Sequence, residues 1–135
     1  MANIKPFRGV RYNPERFDDM SVLVSQPYDR VRYGLQDKYY GLSDYNIVRI
    51  IKNKEQPGDD ETNNVYTRAR DLYHRWLEEG VLIREERPAL YVYHQTFTTP
   101  SGETRTRKAF ICTLELTTFD EGVVLPHERT HAGPK

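Results

Sequence analysis

The chain has 135 residues, about the size of one domain. Its 20 Lys and Arg side chains balance its 20 Asp and Glu side chains, so it lacks the positive excess on which non-specific nucleic-acid binding depends. The single cysteine, Cys112, excludes an internal disulfide and any metal site built from a cysteine pair. No apolar run approaches the roughly 18 residues of a membrane helix. We therefore expect a cytoplasmic protein that has neither a membrane nor a nucleic acid as its partner.

The first half of the chain alternates short apolar runs with polar segments. Runs rich in β-branched and aromatic residues predict strands at 7–12, 20–24 and 45–51. The spacing of apolar residues at 34–41 favours a short helix. Residues 53–61 contain Pro, Gly and several charges, which is typical of a surface loop.

An amphipathic helix is predicted over 62–79, because apolar residues recur there at helical spacing. The stripe consists of Val65, Ala69, Leu72 and Trp76. Thr62 or a neighbouring aspartate is expected to cap its first turn, and Gly80 stands where a left-handed C-terminal cap belongs.

A long antiparallel hairpin is predicted downstream, from strands at 89–98 and 105–116 joined by a turn at 99–102. Alternation places Phe110, Cys112, Leu114 and Leu116 on one face, so Cys112 is expected to be a small buried apolar side chain. A last short apolar run follows at 122–125.

Strands outnumber helices, and one strong helix interrupts them. The predicted class is α+β, as a single domain over 1–135 with a mixed, mostly antiparallel sheet. Ten tyrosines and one tryptophan predict an aromatic-rich core.

The segment His127-Glu-Arg-Thr-His131 has the spacing of a helical zinc site, in which two histidines bind the metal and the glutamate acts as general base. Its surroundings argue against zinc, because prolines bracket the segment and no apolar periodicity supports a helix. A catalytic zinc also needs a third protein ligand, which nothing nearby supplies. We expect no metal ligands here, and a zinc metallohydrolase is the weakest of the alternatives.

A second interpretation treats the same residues as a polar loop that follows a strand, where catalytic groups often collect. Glu128 could then act as general base or carboxylate ligand, with His127 as a titratable group beside it. Arg129 and Thr130 would bind a phosphate or carboxylate. The alternative is a structural ion pair between Glu128 and Arg129, and the spacing leaves both open.

Five further polar residues are weaker candidates for ligand binding. Two arginines flank a glycine, where backbone amides and guanidinium groups could meet an anion, one aspartate stands in a turn, and two residues come at the end of an expected strand. They are Arg8, Arg11, Asp29, Asn46 and Arg49. Their alternative role is to hold turns together through hydrogen bonds and ion pairs.

Several motifs occur together in an order that resembles the domain-of-unknown-function family 1015 of bacteria and archaea. They are Pro6-Phe-Arg-Gly-Val-Arg-Tyr-Asn-Pro14, Pro27-Tyr-Asp29, Tyr45-Asn-Ile-Val-Arg49, Arg75-Trp-Leu-Glu-Glu-Gly-Val-Leu82, Pro88-Ala-Leu-Tyr-Val-Tyr93 and His127-Glu-Arg-Thr130. Members are usually much longer, so the resemblance implies the N-terminal part of a longer protein, with the remaining C-terminal region as a partner. One departure is Gln26, where the family often has a second proline before Tyr-Asp.

The resemblance also implies a distant similarity to ParB-like and sulfiredoxin-like folds, some of which bind nucleotides through a loop containing Glu and Arg. The leading hypothesis is therefore a phosphate- or nucleotide-handling domain that carries out kinase- or phosphatase-like phosphoryl transfer on a small phosphorylated metabolite. The sequence does not identify a cofactor. A nucleotide and Mg²⁺ are the candidates that match this hypothesis, because carboxylate and phosphate oxygens suit Mg²⁺. The rival hypothesis is a non-catalytic interaction or regulatory module of the ParB-like kind.

Overall fold

The structure is a computed structural model that describes residues 1–32 and 34–125. The chain forms two compact units. One unit comprises Val10–Glu85, and the other comprises Met1–Gly9 together with Glu86–Lys135. The α-helices of the described residues lie in the first unit, and the long hairpin lies in the second.

The unit Val10–Glu85 combines three α-helices with one pair of strands. Strands β2 (Val10–Tyr12) and β3 (Leu82–Arg84) pair antiparallel, with Tyr12 opposite Leu82. The α-helices are α1 Leu35–Leu42, α2 Val48–Ile51 and α3 Val65–Glu78. Two 3₁₀ helices precede α1, at Pro14–Arg16 and Met20–Leu23.

Helix α3 confirms the amphipathic helix that the sequence predicts. Its cap is Asn64, not Thr62 or an aspartate, because the Asn64 side chain accepts from the backbone N–H groups of Tyr66 and Thr67. The Thr67 hydroxyl in turn accepts from the backbone N–H of Asn64, which completes a capping box. Gly80 follows the helix with φ of +68°, as expected for a left-handed terminal residue.

The core of this unit is rich in aromatic residues, as predicted. Trp76, Val81 and Leu82 are buried at its centre. The rings of Tyr12 and Tyr45 contact the indole of Trp76, with centroids 6.2 and 5.7 Å away. The Tyr12 hydroxyl donates to the carbonyl of Tyr45 at 2.7 Å, and burial raises the pKa of that hydroxyl. The half-buried phenol thus keeps its proton and its hydrogen bond.

Two predicted strands of this unit are wrong. Residues 20–24 form the 3₁₀ helix Met20–Leu23, whose N-cap Asp19 accepts from the Ser21 amide at 2.8 Å. Residues 45–51 contain α2, which begins where Asn46 accepts from the Val48 amide at 3.0 Å. Local hydrogen bonds between a side chain and the backbone two residues on favour a helical turn over an extended strand. The short helix predicted at 34–41 is confirmed as α1.

The second unit contains the long hairpin that the sequence predicts. Strand β4 (Tyr91–Thr98) pairs antiparallel with β5 (Thr104–Ile111) through eight residue pairs. Gly102 closes the turn with φ of +86°. A second strand pair joins β1 (Ile4–Lys5) to β6 (Thr113–Leu114), and Phe7 forms an isolated bridge with Ala89.

The predicted strand 105–116 is interrupted, because the chain leaves β4 after Ile111 and pairs with β1 from Thr113. Cys112 lies at this change of partner and is half-buried, so the prediction of a buried cysteine is wrong. Phe110, Leu114 and Leu116 are exposed. Residues 122–125 follow a 3₁₀ helix, Phe119–Glu121, and form no strand.

The α+β class is confirmed. Among the described residues the strands form three separate two-stranded antiparallel sheets, where the sequence predicted one mixed sheet. No helix in the described ranges is long and apolar enough to cross a membrane.

Candidate functional site

The first predicted site lies outside the described residues. It comprises His127, Glu128, Arg129 and Thr130. Its catalytic and phosphate-binding roles therefore stay predictions from sequence. The zinc alternative, which needs His131 as well, falls on the same undescribed segment.

Asn46 is fully buried, and each of its side-chain groups is engaged. Its Nδ2 donates to the carbonyls of Val22 and Val24 at 2.7 and 3.0 Å, and its Oδ1 accepts from the Val48 amide. These bonds tie the segment around the 3₁₀ helix Met20–Leu23 to the start of α2. The contacts are those of a residue that holds two segments together.

Arg49, on α2, is held by an ion pair, by hydrogen bonds to backbone carbonyls and by an aromatic ring. Its Nη2 lies 2.8 Å from Oδ1 of Asp44 and donates to the carbonyl of Tyr40 at 3.0 Å. Its Nε donates to the carbonyl of Ser43 at 3.3 Å. The guanidinium also lies over the Tyr40 ring, 4.3 Å from the centroid, a cation–π geometry.

The remaining candidates do not share one site in the described residues. Arg11 forms an ion pair with Glu85 and donates to the Tyr12 carbonyl at 3.3 Å. Asp29 is exposed in a turn in which the Arg30 amide donates to the carbonyl of Pro27 at 2.9 Å. Arg8 is exposed and belongs to the other unit.

A cavity of about 350 Å³ lies in the unit Val10–Glu85, between residues of α1, α2, α3 and the segment after α2. Of the sequence candidates that the structure describes, Arg49 lines it. The lining residues are Tyr40, Arg49, Asn53, Lys54, Gln56, Arg68, Asp71, Leu72 and Arg75. The described part of the wall therefore carries four cationic side chains and one carboxylate.

Arg68 is the most firmly held of these cations. Its two Nη atoms lie 2.7 and 2.8 Å from the two carboxylate oxygens of Asp59, and Nη2 also donates to the carbonyl of Lys54 at 2.8 Å. The bond from Arg68 lowers the pKa of the Asp59 carboxyl and, reciprocally, raises the pKa of the guanidinium. Such a bidentate pair fixes both position and orientation.

Lys54 is also engaged, more loosely. Its ammonium pairs with Asp37 of α1 and lies 4.5 Å from the centroid of the Tyr40 ring. It lines a second cavity of about 330 Å³ that includes Asp37. The Asp37 side chain is 71% exposed, so this pair is screened by water and costs little to open.

Arg75 differs from the other three cations. It stands on α3 one turn after Asp71, and Asp71 pairs with Arg70 at 2.8 Å. The guanidinium of Arg75 makes no hydrogen bond or ion pair with any residue in 1–32 or 34–125. Its planar set of donors is therefore available to an anion in the cavity.

Metal binding finds no support among the described residues. In that part of the chain, no three His, Cys, Asp or Glu side chains cluster in a way that could hold an ion. The Mg²⁺ expected from sequence has no protein ligand set there.

The family of the chain is decided by a match over almost its whole length. The model of the family described as protein of unknown function (DUF1015) matches residues 4–135. The chain belongs to this family. No curated protein and no solved structure matches it, so the distant similarity to ParB-like and sulfiredoxin-like folds stays a prediction.

Three of the four cations in the cavity wall were not among the sequence candidates of this DUF1015 member. They are Lys54, Arg68 and Arg75. The sequence of α3 does indicate that two of these arginines share a helix face, because Arg68, Leu72 and Arg75 recur at the spacing of residues on one face. The apolar stripe of the same helix, centred on Trp76, is the stronger pattern, and it predicts packing against the core, not ligand binding by the polar face.

Proposed function

We propose that this domain binds a small phosphorylated metabolite or a nucleotide in the cavity lined by Arg49, Lys54, Arg68 and Arg75, as part of a phosphoryl-transfer enzyme. The observation that carries the proposal is the guanidinium of Arg75, which pairs with no described residue and lies with three further cations in the wall of a cavity. A cytoplasmic location is part of the same proposal.

The chemistry of the wall favours a phosphate. Guanidinium groups donate in a planar fork that matches phosphate oxygens, and hydrogen bonds to a charged group are the strong ones. Arg49 and Arg68 are already paired with Asp44 and Asp59, so they contribute fixed donors and shape more than net charge. Arg75 supplies the uncompensated positive charge.

The size of the cavity favours a small molecule. Ligand cavities span roughly 300–1,000 Å³, and this one, at about 350 Å³, lies at the lower end. Leu72 and the ring of Tyr40 provide apolar wall for the non-phosphate part of the ligand. A phosphorylated amino acid or a nucleoside monophosphate is the matching size class.

Ligand binding can be tested on the full chain by thermal shift with AMP, ATP, phosphoserine and inorganic phosphate. A ligand that binds only the folded state at about 100 times its Kd adds about 2.7 kcal/mol to the free energy of unfolding and raises Tm. Arg75→Gln should weaken binding about tenfold or more, since hydrogen bonds to charged groups contribute about 1.5–3 kcal/mol.

The matched control is Arg84→Gln. Arg84 is exposed on β3 of the same unit and does not line the cavity, so its substitution removes the same charge elsewhere. The proposal is contradicted if none of the four ligands raises Tm, or if both arginine variants bind like the wild type.

Catalysis is a separate step of the proposal, and it rests on the sequence of the segment His127-Glu-Arg-Thr130. If Glu128 acts as acid or base, with His127 beside it, Glu128→Gln should abolish turnover and leave binding in the cavity intact. A non-catalytic module would use the same cavity for binding. Turnover that survives in Glu128→Gln would contradict the role given to Glu128. An absence of turnover with every ligand that binds would support the non-catalytic module instead.

A further inference from the structure

The β4–β5 hairpin has two open edges in the described part of the chain. Its strands pair with each other and with no other described strand. Apart from the half-buried Tyr91, every residue of both strands is exposed, Val92 and Phe110 among them at 74% and 58%. A two-stranded hairpin with both faces in water is marginally stable. Something that pairs with it or covers it would stabilise it.

The two edges differ in charge. Strand β5 carries Arg105, Arg107 and Lys108, whereas β4 contains no Asp, Glu, Lys or Arg. Charged residues, lysine above all, protect exposed edges from pairing with another strand. Pairing β5 with a second β5 would also bring these cations of two chains into one short stretch, which like-charge repulsion opposes. The edge that lacks this protection is β4.

The turn fixes which backbone groups of β4 face outward. The amide of Thr99 donates to the carbonyl of Glu103 at 2.9 Å, so these two residues form a hydrogen-bonded pair. Hydrogen-bonded and non-hydrogen-bonded pairs alternate along an antiparallel ladder. The residues of β4 whose N–H and C=O groups therefore point away from β5 are Val92, His94, Thr96 and Thr98.

We infer that β4 pairs antiparallel with β4 of a second copy of this chain, which joins two hairpins into one four-stranded sheet. A two-fold axis perpendicular to that sheet keeps each face on its own side, so opposed residues must come from the same face. The axis must then pass midway between one residue of β4 and the same residue of the second copy, so that this residue lies opposite its own counterpart. This inference is independent of the anion cavity, which lies in the other unit.

Side-chain pairing selects the register. With the axis at Gln95, Tyr93 lies opposite Phe97 of the second copy on both sides of the axis, and aromatic cross-strand pairs are among the more stabilising. With the axis at His94, the two histidines would oppose each other and Tyr93 would oppose Gln95. The axis at Gln95 also makes Tyr93–Phe97 a non-hydrogen-bonded pair, in which side chains lie closer together.

Cysteine cross-linking tests this register directly. In a Cys112→Ser background, Gln95→Cys places two thiols at a non-hydrogen-bonded site, with Cα atoms about 4.5 Å apart, which a disulfide can span. Mild oxidation should convert most of that variant to a covalent dimer. Arg107→Cys is the control, because Arg107 opposes Gln95 within the hairpin but lies on the far strand. Equal cross-linking of the two variants, or none in either, would overturn the inference.

A pair of proline variants tests the edge without a cross-link. Thr96 and Thr106 face each other, with hydroxyls 2.9 Å apart, at a position where neither donates its backbone N–H across the hairpin. Proline is tolerated where a strand's N–H faces outward, so both variants should keep the hairpin. Thr96→Pro should raise the Kd of the dimer at least about tenfold by removing a hydrogen bond at the new edge, whereas Thr106→Pro should not.

Light scattering over a concentration series provides the measurement, and far-UV circular dichroism checks that the variants fold. The inference requires the wild-type chain to form dimers. A wild-type chain that stays monomeric throughout, including one whose β4 edge is covered by a different segment, would refute it. A dimer that Thr96→Pro leaves unchanged would refute it equally.

Discussion

Replacing Asn46 by alanine is the sharpest test of how the unit Val10–Glu85 is held together. Sequence reasoning made Asn46 a candidate for ligand binding, whereas the structure buries it completely among backbone groups. Alanine removes the donor of two hydrogen bonds, to the carbonyls of Val22 and Val24, and the acceptor of a third, from the Val48 amide. No solvent is at hand to replace them.

The expected loss of stability follows from those three bonds. A net hydrogen bond contributes about 1 kcal/mol, and a buried partner left unsatisfied costs about 1–3 kcal/mol. Since some of the three backbone groups can find other partners after relaxation, we expect Asn46→Ala to lower the free energy of unfolding by about 3–5 kcal/mol. This is a large share of the roughly 5–15 kcal/mol that stabilises a typical domain.

Urea unfolding followed by circular dichroism measures this loss. Asn63→Ala is the control, because Asn63 is exposed and its side chain accepts one bond, from Arg68 at 3.2 Å. The control should lose no more than about 1 kcal/mol. If Asn46→Ala unfolds like the wild type but loses affinity for phosphorylated ligands, Asn46 is a binding residue and the structural interpretation is refuted.

Two further predictions concern stability. A Cβ at Gly9 would lie 2.7 Å from Cζ and Oη of Tyr91, whose hydroxyl accepts from the Gly9 amide at 2.6 Å, so Gly9→Ala should destabilise the chain by about 1–3 kcal/mol. Thermal unfolding measures this loss, with Gly41→Ala as the control. A Cβ at Gly41 meets nothing within 4 Å, and helix propensity predicts a stabilisation of up to about 1 kcal/mol there. An equal loss of stability in both variants would contradict the steric argument. Because Arg68 lowers the pKa of Asp59 in the folded state, that carboxylate contributes stability above its unfolded pKa, and the contribution is lost as pH falls through the folded value. Asp59→Asn should therefore flatten the fall in Tm below about pH 4, and an unchanged acid profile would exclude Asp59 as its source.

The elements that the sequence predicts well are those whose pattern is long. Helix α3 spans several turns with one apolar stripe around Trp76, and the hairpin has two eight-residue strands around a Gly-containing turn. The runs at 20–24 and 45–51 are too short to distinguish helix from strand by periodicity. There the local side-chain hydrogen bonds decide, from the Ser21 amide to Asp19 and from the Val48 amide to Asn46, and no apolar pattern reveals them.

The candidate site was harder to predict than the fold, because its residues come from separate segments. Arg49, Lys54 and Arg75 meet only when α1, α2 and α3 pack together. Which cation remains unengaged also depends on tertiary partners, such as Asp59 for Arg68. The sequence made Arg49 a candidate through its place at the end of an expected strand. The spacing on α3 could place Arg75 on one helix face with Arg68, but it could not show which of these cations finds a partner.

The most direct test of the central claim is to observe the Arg75 guanidinium while ligand is added. Nitrogen-15 spectra of the arginine Nε–H groups in the full chain, titrated with AMP or phosphoserine, report which arginine gains a hydrogen bond. The account predicts a saturable shift at Arg75, none at Arg84, and a weaker apparent affinity as salt is raised, because salt screens charge attraction. Saturable binding that leaves the Arg75 resonance in place, or no binding at all, would contradict it.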